Sequence, residues 1–91
     1  MNLRFETIWK PQVTPVGTVI DGVVVTMELR QAFDYLDRCE TNAKKEARNQ
    51  WEDWQFFVES WRRYWREAFD KLTPEERHAY SVHRRNYLRA H

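Results

Sequence analysis

The rhythm of apolar residues along the chain changes near residue 26. Before it, Leu3, Phe5 and Thr7 alternate with Arg4 and Glu6, the period of a strand running toward Trp9. The stretch "GTVIDGVVVT" follows, with β-branched residues on both sides of Asp21-Gly22, a pair that accepts the positive φ angles of a type I′ turn. This predicts a short hairpin. Two strands alone are not stable in water, so the hairpin needs helices to lie on.

Beyond residue 26 the apolar spacing lengthens to three and four. Thr26 is a good N-cap and Glu28 an acid in the first turn, so a helix starts there. Leu29, Ala32, Leu36 and Cys39 form its apolar stripe, broadened by Phe33 and Tyr35. The pattern weakens at residues 40–42, "ETN", which predicts a turn. A long central helix is then expected over about residues 43–72, a stretch without proline or glycine. Ala47, Trp51, Trp54, Val58, Trp61, Trp65, Ala68 and Leu72 follow a 4-3-4 spacing along it, a heptad seam. On its outer faces, Arg48–Glu52, Glu59–Arg63, Arg63–Glu67 and Arg66–Asp70 are set for i to i+4 ion pairs. In "LTPEER", Thr73 caps, Pro74 takes the first helical position and Glu76 closes a capping box, so a third helix runs from Pro74 to near Leu88.

These elements predict an α+β fold, mostly helical. A short N-terminal β-hairpin region, residues 1–26, packs on a helical region, residues 27–91, within one domain. Short connections fold the first and third helices back along the central one, each covering half of it. The hairpin then sits near the middle of the central helix, with the Arg84–Arg89 end of the third helix close by. The stretch "FDKLTPEERHAYSVHRRNYL", residues 69–88, resembles the junction between the second and third helices of HMG boxes in Phe69, Leu72, Thr73-Pro74-Glu75-Glu76 and Tyr80. The basic N-terminal segment and the wedge residues of that family have no counterpart here, and the resemblance carries no assignment.

Composition narrows the function classes. The 91 residues carry a net charge of +1, which speaks against a DNA mimic and against a strongly basic nucleic-acid binder, though a local basic patch remains compatible. Aromatic residues make up 15%, and their large buried areas compensate for a short chain. One cysteine, Cys39, allows no intrachain disulfide and no CxxC metal pair, which suits a reducing compartment. "MNLRFETIWKPQV" holds no apolar run of signal-peptide length, and no segment reaches the length of a membrane span. The expectation is a cytoplasmic protein with no membrane association.

Catalytic and cofactor chemistry find little support. Cys39 falls on the apolar stripe of its helix, where thiols are inert, so a dyad with His78 or His83 is not expected. His78 and His83 are five apart, on different sides of a helix, and read as solvent-facing residues rather than metal ligands. With only Gly17 and Gly22, the chain has no phosphate-binding glycine loop. No enzyme activity, metal or cofactor is expected.

The remaining signal is the mixture of arginines and aromatics. Four of the five tryptophans lie in residues 51–65, all on the heptad seam and expected in the core. Phe56 stands opposite that seam, in line with Arg63. Arg62, Arg63 and Arg66 form one basic cluster and Arg84, Arg85 and Arg89 a second. Tryptophan, tyrosine and arginine are enriched at binding hot spots. The sequence therefore points to a small accessory protein that binds and modulates or inhibits a larger protein or protein–nucleic acid complex through these seven residues. Phage-type modulators of host enzymes have this size and composition. The alternative is a small DNA- or RNA-binding module using the arginine–aromatic surface. A homodimer through helix 43–72 is a further expectation from the bulky seam.

Overall fold

The computed structural model describes residues 13–90. The strand expected between Leu3 and Trp9 lies outside them. Strand β1, Val19–Ile20, pairs antiparallel with β2, Val23–Val24, with Val19 opposite Val24 and Ile20 opposite Val23. Asp21 at φ 50° and Gly22 at φ 86° make the turn, both in the left-handed region that a type I′ turn demands. The two-residue period then decides the faces. Ile20 and Val23 turn toward the core, and Val19 and Val24 stay exposed.

Helix α1, Met27–Asn49, starts as its sequence dictates: the Thr26 Oγ1 accepts the Leu29 N–H at 3.1 Å. It does not stop at residues 40–42. Thr and Asn cost only about 0.7 kcal/mol each in a helix interior, and tertiary structure outweighs that. Ala43 is buried, and Glu40 is gripped by Arg84. The chain leaves the helix at Gln50 instead, which adopts φ 53° and ψ 47° while its N–H bonds to the Glu46 carbonyl at 2.9 Å, an αL cap.

The single central helix over residues 43–72 therefore does not form. Its first quarter belongs to α1, residues 50–53 are a connection, and α2 spans Trp54–Asp70. Asp53, at φ 64°, turns the chain into α2 without a side-chain cap. Each non-glycine residue in this conformation costs about 1–2 kcal/mol. Packing offsets the cost: α1 and α2 fold back on each other as an antiparallel pair. A heptad count passes through this corner unnoticed, because Ala47, Trp51 and Trp54 keep the spacing while the backbone reverses. Trp51 consequently lies in the connection and is exposed, contrary to its expected core position. Val58 is buried, and Trp54, Trp61 and Trp65 are half-buried.

Helix α3, Pro74–Ala90, opens with the capping box: the Thr73 N–H donates to Glu76 Oε1 at 2.9 Å, and the Glu76 N–H to Thr73 Oγ1 at 3.1 Å. Arg77, one turn in, donates to the Phe69 and Asp70 carbonyls at 3.2 and 2.9 Å and so caps the C-terminal end of α2.

These contacts divide the molecule in two. At the base, Ile20 and Val25 from the hairpin meet Leu29, Phe33 and Leu36 of α1, Trp65, Ala68 and Phe69 of α2, and Ala79 and Tyr80 of α3. The hairpin thus lies at the start of α1, not beside the middle of a long helix. Beyond the base, the second half of α1 and the first half of α2 continue as a two-helix arm that ends at residues 50–53. Among the described residues, no helix is long and apolar enough to cross a membrane.

Candidate functional site

Three constellations stand out: a sealed polar chain in the base, a basic groove between α1 and α2, and the aromatic tip of the arm.

The polar chain starts from His83, which has no exposed surface although the sequence presents it as a surface histidine. Its Nδ1 lies 2.6 Å from the Thr14 hydroxyl and its Nε2 2.8 Å from Asp37 Oδ2. A proton on Nε2 satisfies both contacts, with Nε2–H donating to the carboxylate and Nδ1 accepting from the hydroxyl. The Tyr80 hydroxyl donates to the other Asp37 oxygen at 2.9 Å. Burial, followed by the Asp37 charge, pushes the Tyr80 phenol well above its ordinary value. The imidazole also stacks on Phe33, with ring centroids 4.9 Å apart. Threonine, histidine and aspartate in line resemble a catalytic arrangement. However, Thr14 is 1% exposed and His83 0%, so a substrate has no surface to approach. The trio instead ties the segment before the hairpin to α1 and α3. His78 remains half-exposed and joins Asp21 of the hairpin turn at 2.5 Å.

The basic groove has a volume of about 390 Å³. Glu40, Ala43, Lys44 and Ala47, one turn after another on α1, line one side with Cys39; Arg62, Trp65 and Arg66 of α2 line the other. Its one carboxylate is already engaged. Arg84 donates from Nε to both Glu40 oxygens, at 3.0 and 2.8 Å, and its second nitrogen lies 2.6 Å from Oε1. These bonds raise the guanidinium further above its ordinary value. Lys44 stands 3.9 Å from the same carboxylate. Burial pushes the Cys39 thiol up, against the opposing influence of the Tyr35 hydroxyl and the Arg38 charge, so the thiol is protonated and unreactive.

None of the four i to i+4 pairs expected on the outer faces of the long helix is present. Among the described residues, Arg62, Arg63 and Arg66 have no carboxylate partner. Arg63 instead lies 5.6 Å from the Tyr64 ring centroid.

The tip carries the third constellation. Trp51 is 65% exposed, Phe56 64% and Phe57 43%. The two phenylalanines meet edge to face at 5.5 Å. Phe56 is thus outward-facing, as its heptad position implies, and its ring partner Phe57, expected beside the core, is exposed with it.

The seven residues singled out by sequence therefore separate. Arg62 and Arg66 share the groove, and Arg84 adjoins it through Glu40. Phe56 belongs to the tip, and Arg63 is seven residues along the same outward face of α2. Arg85 and Arg89 are exposed on α3 and line neither feature. Sequence reasoning missed Lys44 and Glu40, whose stripe Glu40–Ala43–Lys44–Ala47 has helical spacing but crosses the predicted turn. Among the described residues, no three His, Cys, Asp or Glu side chains converge as metal ligands would.

Comparison of the chain with family models, with curated proteins and with solved structures finds no match in any of the three.

Proposed function

We propose that this protein is a non-enzymatic interaction module whose arm docks onto a larger macromolecular partner and modulates it. The supporting observation is the tip: Phe56 and Phe57 meet edge to face in water, and Trp51 is exposed in the connection that leads into the same helix. Large aromatics of this kind are the commonest anchors of binding energy, because each buries much area with few rotatable bonds. None of the three rings belongs to the core cluster of the base. A modulator of an enzyme, of the kind phages encode, is the form of partner relationship that size and composition suggest.

The test compares wild type with Phe56→Ala and Trp51→Ser as immobilised baits, with sedimentation run first to score self-association through the same tip. The expected outcome is one or more captured partners lost from both variants while far-ultraviolet circular dichroism stays unchanged. Equal capture by all three proteins would refute the assignment of the tip.

The uncompensated arginines support a second reading, a nucleic-acid-binding module. Phosphate contacts make retention on DNA or RNA fall steeply with salt, whereas an aromatic anchor does not. Absence of retention at low salt removes this reading.

A further inference from the structure

We propose that the groove between α1 and α2 binds a phosphate ester whose organic part is flat or apolar. The inference rests on the groove alone and is independent of the aromatic tip.

Charge is the first argument. Arg84 neutralises Glu40 by a two-oxygen grip, which leaves Lys44, Arg62 and Arg66 facing the cavity without a full counter-charge. Arg62 and Arg66 are one helical turn apart, so their forks can converge on one small tetrahedral group, with the Lys44 ammonium opposite. A phosphate monoester brings up to two negative charges and three acceptor oxygens to that point. A single carboxylate brings one charge and two oxygens, and leaves the surplus of cations standing.

Shape is the second argument. The walls are basic, but the floor is Cys39, Ala43, Ala47 and part of Trp65. Small side chains on α1 make the hollow, and the Trp65 ring is held rigid by stacking on Phe69 at 4.7 Å with 14° between planes. A floor of this kind offers nothing to water and favours the burial of a ring or another apolar group. A volume of about 390 Å³ is sufficient for a mononucleotide-sized guest. A free nucleotide presents this chemistry in full, whereas one residue of a single strand presents the same flat base beside a phosphodiester of one charge and two free oxygens.

The experiment is an amide-resolved NMR titration of the whole chain with adenosine monophosphate, inorganic pyrophosphate, a short oligothymidylate and oligoglutamate. The nucleotide is expected to shift Ala43, Lys44, Ala47, Arg62, Trp65 and Arg66 saturably. Arg62→Ala and Arg66→Ala should each weaken it about tenfold, the scale of a lost charge-assisted hydrogen bond. Arg85→Ala and Phe56→Ala should leave it unchanged, the latter separating this site from the tip. Tighter, strongly salt-dependent binding of the oligonucleotide at the same residues would assign the ester to a strand; equal or weaker binding would assign it to a free nucleotide. The proposal is overturned if pyrophosphate binds as tightly as the nucleotide, if oligoglutamate is preferred, if no ligand shifts the groove, or if the shifts survive both arginine changes.

Discussion

Phe33 and Phe56 are the same side chain on consecutive helices of one antiparallel pair, yet Phe33 has 0% of its surface in water and Phe56 has 64%. The difference lies in how many elements reach each place. At the base, the hairpin and α3 close over α1 and α2, so Phe33 touches rings from α3, Tyr80 and His83, at 5.4 and 4.9 Å. Along the arm, among the described residues, only two helices are present. Two helices bury the stripes that face each other, here Cys39, Ala43 and Val58, and leave the flanks in water. The base therefore carries the stability and the arm carries the surface. The arm is the richer of the two in aromatic residues, so aromatic content does not mark which region is buried.

The sharpest way to break this comparison is to truncate both phenylalanines. Phe33→Ala should cost about 3–5 kcal/mol, the usual range for a buried ring. Phe56→Ala should stay within about 0.5 kcal/mol. Urea unfolding of the two variants measures both, and similar losses would mean that the arm is as tightly packed as the base. The histidines give a second contrast. His83→Ala removes the link between Thr14 and Asp37 and opens a cavity beside Phe33, and should cost about 2–4 kcal/mol. His78→Ala breaks only an exposed pair with Asp21 and should cost less than about 1 kcal/mol.

Tyr80 should make the base sensitive to alkali. Its phenol ionises less readily in the folded protein than in the unfolded chain, so the folded state favours the neutral hydroxyl. That contribution is fully present below the unfolded value, near 10, and is lost as pH rises from there toward the folded one. Stability measured by urea midpoint should fall above about pH 10, and Tyr80→Phe should flatten the fall. The same variant loses a hydrogen bond to Asp37, and should cost about 1–2 kcal/mol at neutral pH. The smallest effect belongs to the arm. Gln50→Gly relieves a left-handed backbone and should stabilise by under about 1 kcal/mol, read as a small rise in Tm.

Three features are legible in the sequence because the chemistry that makes them is local, whereas the weak turn signal at residues 40–42 is overridden by packing. The Asp21-Gly22 turn needs only two residues that accept positive φ, the Thr26 cap only a hydroxyl before an apolar stripe, and the Thr73–Glu76 box only its own four residues. Phe56 was placed outside by counting sevens within one helix. The corner at residues 50–53 escaped because Gln50 and Asp53 are not the glycines that usually mark a left-handed cap, and the heptad spacing runs straight through it. The error then spread to everything that depends on direction: the exposure of Trp51, the position of the hairpin and the make-up of the groove.

By itself, the sequence determined three helices after a tight hairpin, the caps that start the first and third of them, and the outward place of Phe56. Each is settled by backbone preference or periodicity within a few residues. Tertiary structure alone decided where α1 ends, which histidine is sealed in the core, and which arginines stand together around one groove. Those outcomes turn on a helix reversing at a small local cost and on residues such as Glu40 and Arg84, or Thr14 and His83, meeting across spans of chain that no local pattern connects.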